Sequence, residues 1–189
     1  NLGATSATPG AVGALGLLYQ WGRKDPFLGS SSISSNTLAK STGSWPSAVS
    51  SSSSNGTIDY SVKNPMTFIT RNSYNYDWYY TGSSSTNDTR WQSEKTIYDP
   101  CPAGWRVPDG GTDGVWSDAL GSNSSLDYIY SSTNEGMDFS GEFGSASTIW
   151  YPASGYRDSD GGGLGFVGHG YYWSASLDSY GAYGLNFYG

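Results

Sequence analysis

The amino-acid sequence predicts an α+β fold of short antiparallel strands, few short helices and long irregular loops. Three observations predict it. Ser (34) and Gly (27) supply about a third of the 189 residues, and glycine at that density excludes a long-helix bundle or coiled coil. Leu, Ile, Val and Phe number only 29, whereas 8 Trp and 16 Tyr raise the aromatic share to 16 %. Each buried ring removes about 150–250 Å² from water, so the core is expected to be built on Trp and Tyr. Finally, the C-terminal residues 182–189 alternate strictly, which is the period of a strand.

In chain order, residues 11–22 (AVGALGLLYQWG) place Val12, Leu15, Tyr19 and Gly22 at helical spacing, but the glycines among them argue against a stable helix. Residues 29–57 include five consecutive serines at 50–54. Such a tract buries little that offsets its ordering entropy, so it reads as a surface insertion in a single domain spanning 1–189. Residues 66–70 and 78–81 are short strand-like pieces. The segment DPCPAGWRVPDGGTDGVWSDAL (99–120) opens with Pro100, Pro102 and Pro108, which exclude a helix. It then offers Asp113 as an N-cap, a Val115/Ala119 and Trp116/Leu120 stripe, and Gly121 as a stop, the signature of a short amphipathic helix. Residues 170–176 (GYYWSAS) and 182–189 (AYGLNFYG) read as two strands of an antiparallel hairpin turning at 178–181. Alternation puts Tyr183, Leu185 and Phe187 on the core face and Gly184, Asn186 and Tyr188 outside. Most of Trp21, Trp105, Trp116, Trp150 and Trp173 are expected inside, with Trp105, Trp116 and Trp173 in one cluster.

Charge narrows the partners. Residues 1–95 are net +2 and residues 96–189 net −9, so no basic face for nucleic acid is expected. No apolar run reaches membrane-spanning length, so direct membrane insertion is not expected. The chain begins at Asn1 without an initiator Met and reads as part of a larger mature protein.

Most chemical motifs give nothing. The single Cys101 cannot form an internal disulfide or a cysteine-cluster metal site. Gly163, Gly165 and Gly168 match G-x-G-x-x-G, but a Tyr/Trp strand follows where dinucleotide binding needs a helix. No G-x-S-x-G or H-E-x-x-H is present. The groups Asp158/Asp160, Asp109/Asp113/Asp118 and Glu135/Asp138/Glu142 fit no calcium-loop pattern and read as turn and cap residues. Sequons begin at Asn55, Asn87 and Asn123, about as many as chance gives when a quarter of the chain is Ser or Thr. No cofactor, metal or catalytic residue is expected. What remains is a C-terminal region rich in Tyr, Gly and Ser, the composition of adaptable binding loops.

With these residues laid out, NLGAT, GLLYQWGRKDPF, TIYDPCPAGWRVP, GYYWSAS and AYGLNF resemble the Fibrobacter succinogenes major paralogous (FISUMP) domain. The nearest variety is that of Bacteroidetes surface and fimbrillin-like proteins. The resemblance runs the length of the chain between Ser-rich insertions. It implies a C-type-lectin-like fold and display on the outer surface of a Gram-negative anaerobe, anchored to the outer membrane or fimbrial. It also implies kinship with variable proteins of diversity-generating retroelements, whose mutable binding residues alternate with fixed apolar ones. Residues 164–168 (LGFVG) and 180–188 (YGAYGLNFY) match such patterns. The implied ligand-binding positions are Gly165, Phe166, Tyr180, Gly181, Gly184 and Tyr188, together with His169 and Asn186. The Glu-Pro-Asn, Gln-Pro-Asp and Trp-Asn-Asp signatures of calcium-dependent lectins are absent, and one cysteine cannot supply the pair used by sulfatase-activating relatives.

The expected function is therefore a non-catalytic, adhesin-like domain that binds a protein or glycan, with pilus or surface-protein neighbours. A carbohydrate-active enzyme and a structural pilus or assembly subunit are the alternatives.

Overall fold

The computed structural model describes residues 2–33, 45–85, 89–120, 130–140, 149–178 and 181–188. Eleven short strands and two short helices are joined by much irregular backbone among these residues. The strands form small sheets. β1 (Leu17–Tyr19) pairs with β2 (Pro26–Leu28), β3 (Val49–Ser50) with β4 (Ile69–Thr70), and β5 (Tyr130–Ser131), β6 (Gly136–Asp138) and β7 (Trp150–Pro152) form a three-stranded meander. β8 (Tyr156–Arg157) pairs with β9 (Leu164–Gly165), and β10 (His169–Leu177) with β11 (Ala182–Tyr188). All pairings are antiparallel except β3–β4, which is parallel.

The N-terminal apolar stretch does not form a helix. It splits into a 3₁₀ turn, Val12–Ala14, and β1, because glycines at 13 and 16 interrupt any continuous helical face. Helix α1 (Ile58–Lys63) was not anticipated. Thr57 caps it by accepting the Tyr60 N–H, and Lys63 pairs with Asp59 one turn back. Helix α2 (Val115–Leu120) lies where the sequence places it. Its cap is displaced by one residue from expectation: Gly114, not Asp113, precedes the first helical residue and accepts the Asp118 N–H. Of the two strand-like pieces, 66–70 contributes only Ile69–Thr70, and 78–81 joins no sheet. Of the Ser-rich 29–57, residues 34–44 lie outside the described residues, while β3 lines up beside β4 and Ser51 donates to the Trp78 carbonyl.

Three packed groups hold these pieces. Met137, Phe139, Ala153, Leu185 and Phe187 form one, with Trp116, Tyr151 and Tyr172 against it. Trp21, Trp91, Val107 and Ala175 form the second. In the third, Phe27 meets Trp45 and Phe68 edge-on at 5.1 and 5.2 Å. The β10–β11 hairpin supplies residues to the first two groups, so it bridges the core.

Two arginines complete the interior. Arg90, 1 % exposed, pairs with Asp77 and lies 4.7 Å over the Trp21 ring and 5.2 Å over Trp78. Arg23 donates to Gln20 and to the carbonyls of Thr67, Ser61, Asn64 and Pro65, so it collects carbonyls at the end of α1. Burial lowers its pKa to about 10, so it remains charged at neutral pH.

The single buried tryptophan cluster expected from 105, 116 and 173 does not form. Trp105 is 72 % exposed and Trp173 46 % exposed; Trp116 alone packs against the core. The buried indoles are Trp21, as expected, with Trp78 and Trp91, which donate to the carbonyls of Ser174, Trp21 and Tyr98 respectively. A ring's size says that it can fill a core; its neighbours in space decide whether it does.

Candidate binding face

The site is built on β10 and β11. Their register pairs Gly170 with Phe187 and Tyr172 with Leu185 on the inner face. On the outer face it pairs His169 with Tyr188, Tyr171 with Asn186 and Trp173 with Gly184. Phe187 lies so close across the strand that a Cβ on Gly170 would meet its ring at 2.2 Å, so only glycine fits there. Leu185 and Phe187 are buried, and Asn186 and Tyr188 are exposed. The alternation read from the sequence thus fixes which side of β11 faces out.

Tyr183 departs from that alternation. It is 41 % exposed, because the pairing shifts between Trp173 and Leu177. The bulge brings residues 108–111 against the hairpin, with Ala175 N–H donating to Pro108 O and Gly110 N–H to Ser176 Oγ. Tyr183 rests on Gly110 and Gly111 at the surface instead of entering the core.

At one end of the hairpin the loop before β10 completes an aromatic cluster. Phe166 stacks on Tyr156 at 5.4 Å with an interplanar angle of 16°. Tyr156 meets Tyr171 edge-on at 5.1 Å, and His169 meets Tyr188 edge-on at 4.9 Å. Phe166 holds φ at +52°, a left-handed conformation that a bulky residue rarely adopts. The loop is pinned from below: the Tyr130 hydroxyl reaches both the buried Glu135 carboxylate at 2.6 Å and the Gly168 carbonyl at 2.7 Å. Burial, then Glu135, raise the Tyr130 phenol well above its ordinary value. Burial, then Tyr188 and Tyr156, also raise Tyr171, so its hydroxyl stays a donor at neutral pH.

Beside this cluster opens a cleft of about 1120 Å³ lined by Tyr19, Tyr76, Trp105, Tyr171, Trp173 and Asn186, among others. Trp173 is held in place by its indole N–H, which donates to the Tyr19 carbonyl at 3.1 Å. The loop carrying Trp105 is organised by Asp99, whose carboxylate is almost wholly buried and accepts from Lys95, Cys101 N–H and Val107 N–H. Burial alone would raise the Asp99 pKa; the hydrogen bonds from Val107, Lys95 and Cys101 outweigh it, so it falls below the usual carboxylate range. Burial and the adjacent Asp99 push the Cys101 thiol up to about 11, which keeps it protonated and unreactive.

The positions singled out from sequence fall as follows. Phe166, His169 and Tyr188 join the aromatic cluster. Gly181, Gly184 and Asn186 line the cleft. Gly165 is buried beneath the Tyr156 ring, and Tyr180 lies outside the described residues. As slots for other side chains the glycines differ. A Cβ on Gly181 meets nothing within 4 Å, and one on Gly165 would touch Tyr156 at an ordinary 3.5 Å. One on Gly184 would lie 2.7 Å from the Tyr172 carbonyl, so that position accepts no side chain without moving backbone.

Sequence reasoning missed Tyr156, Tyr171, Trp173 and Trp105. The alternation applied to β11 also governs β10 and would have placed His169, Tyr171 and Trp173 on one face. Tyr156 carries no such signal. The acidic groups are tied up locally: Asp160 pairs with Arg71, Asp109 with Arg106, and Asp158 accepts the Asp160 N–H. Among the described residues no three His, Cys, Asp or Glu side chains converge as metal ligands, and Glu142 lies outside them. The glycine motif at 163–168 leads into β10, not into a helix. Among the described residues no helix is long and apolar enough to cross a membrane.

Comparison with protein-family models, with curated proteins and with solved structures found no match.

Proposed function

We propose that this chain is a non-catalytic ligand-binding domain, adhesin-like and displayed at a bacterial surface, and that the outer face of β10–β11 with the 165–169 loop is its binding surface. The observation that carries this reading is the row of aromatic and amide side chains on the outer face of the hairpin. His169, Tyr171, Trp173, Asn186 and Tyr188 face outward while their strand neighbours build the core. Rigid aromatic anchors of this kind dominate binding energies. The left-handed Phe166 supports the same reading, because backbone strain persists where function retains it. The motif resemblance to the FISUMP domain supports a C-type-lectin-like architecture and surface display, with the face, Gly184 excepted, open to side-chain variation because the core half of the alternation is untouched. Surface anchoring and pilus neighbours belong to this proposal.

The test is binding of the labelled chain to an array of glycans and proteins, with and without Tyr188→Ala. Expected is a ligand whose retention falls about tenfold or more in the variant at unchanged melting temperature. A ligand bound equally by Tyr171→Ala, Trp173→Ala and Tyr188→Ala would sink the assignment of the face. Turnover of an arrayed glycan, lost on substitution of one Asp or Glu, would replace binding with catalysis.

A further inference from the structure

We infer that the cleft beside the hairpin takes an uncharged oligosaccharide, gripped between exposed tryptophans without a bridging cation. This rests on the binding reading above and names the ligand class.

The argument starts from charge. Every charged side chain lining the cleft already has an internal partner. Arg71 pairs with Asp160, Asp77 with Arg90, and Arg106 with Asp109. Arg157 donates to the Leu28 and Gly162 carbonyls and lies 4.4 Å over the Trp45 ring, and Asp158 accepts the Asp160 N–H. The carboxylates beside Arg71 and Arg106 and the guanidinium beside Asp77 offset their charges, and Arg157 spends its donors on carbonyls, so the lining presents little uncompensated charge and favours a neutral ligand.

What the cleft still offers is rings and neutral polar groups. Trp105 at 72 % and Trp173 at 46 % exposed leave indole surface that no other described residue covers. Trp173 does not fold down onto the protein, because its N–H is fixed to the Tyr19 carbonyl; a preorganised ring loses little entropy on binding. Tyr171 and Asn186 sit opposite each other on the strands beside it and present a hydroxyl and an amide. A pyranose ring matches this pairing: its axial C–H face is apolar and covers an indole, and its equatorial hydroxyls meet amide and phenol. At about 1120 Å³ the cleft has room for more than one sugar ring. No three acidic, His or Cys side chains converge as a cation site among the described residues, so the rings themselves carry the grip.

The experiment is isothermal titration of the full chain with gluco-, xylo-, manno- and N-acetylglucosamine hexaoses. The comparators are an oligogalacturonate, a sulfated oligosaccharide and a decaproline peptide, the other neutral ligand that suits an aromatic groove. Expected is millimolar or tighter binding of at least one neutral hexaose, unchanged by chelator and by a tenfold rise in salt. Binding should weaken about tenfold or more in Trp105→Ala and in Trp173→Ala. Trp105 is too exposed for its removal to threaten folding, and near-ultraviolet circular dichroism checks that both variants fold. Binding of none of the four hexaoses, or only of the charged comparators or the peptide, overturns the inference while leaving the binding face open to another ligand. A hexaose lost in Trp105→Ala but kept in Tyr171→Ala, Trp173→Ala and Tyr188→Ala supports sugar in the cleft and overturns the hairpin face as its wall.

Discussion

Phe187 and Tyr188 are neighbours with opposite tasks. Phe187 is 4 % exposed and packs against Phe139 at 6.0 Å and Tyr172 at 6.2 Å. Phe187→Ala should cost about 3–5 kcal/mol in chemical denaturation. Tyr188, 61 % exposed, should change stability by no more than about 0.5 kcal/mol when truncated, while ligand retention falls. Phe166→Gly separates strain from packing. Relief of a left-handed Phe recovers on the order of 1–3 kcal/mol, which offsets part of the lost stack on Tyr156 and the lost burial of the ring. The melting temperature should therefore fall much less than in Phe187→Ala while binding weakens; a fall as large as that one would show that the loop is structural only. Asp77→Ala leaves the buried Arg90 guanidinium without its carboxylate. It should cost about 3–5 kcal/mol, the usual penalty for stranding one half of a buried pair, read from the shift of the urea midpoint.

Among the elements, the 99–108 loop depends on one carboxylate. Asp99 has a lowered pKa in the folded state, so its stabilisation is fully present above the unfolded value of about 3.9. It is lost as pH falls from there through the lower folded value. Melting temperatures from pH 7 down to pH 2 should drop on that acid limb. Asp99→Asn should melt lower at pH 7 and show a shallower limb; an unchanged limb would mean that another carboxylate dominates acid unfolding. The hairpin is the other decisive element. Strict alternation predicted the exposed and buried sides of β11 at 184–188 correctly, because side-chain direction along a strand is local geometry. It failed at Tyr183, because the bulge opposite packs on residues 108–111, with Gly110 bonded to Ser176, 66 positions away in sequence.

The eight tryptophans of the whole molecule span the range of burial: Trp21, Trp78 and Trp91 are buried, Trp45, Trp116 and Trp150 half-buried, and Trp105 and Trp173 exposed. Acrylamide should quench a red-shifted component strongly and a blue-shifted one weakly. Trp105→Phe together with Trp173→Phe should remove most of the readily quenched emission. A bound neutral hexaose should protect that same component, which ties the optical signal to the cleft. If both variants leave the quenchable fraction intact, the two indoles are covered in solution.

The sequence by itself determined the broad class and the direction of the last strand. Glycine and serine content limited the elements to short pieces, and period-two alternation chose the buried face of β11. These are local properties of backbone and side-chain geometry, so they need no knowledge of what lies nearby. Only the tertiary structure decided which indoles fill the core, that Arg23 and Arg90 lie inside it, and that Tyr156 comes to rest on Phe166. Trp91 and Trp105 are chemically the same ring. One is buried because its N–H finds the Tyr98 carbonyl and Trp21 covers it at 5.6 Å; the other stays in water because a proline-rich loop, held by Asp99, carries it to the rim of the cleft. Burial is a property of the neighbours that folding brings together, and those neighbours are remote in the chain.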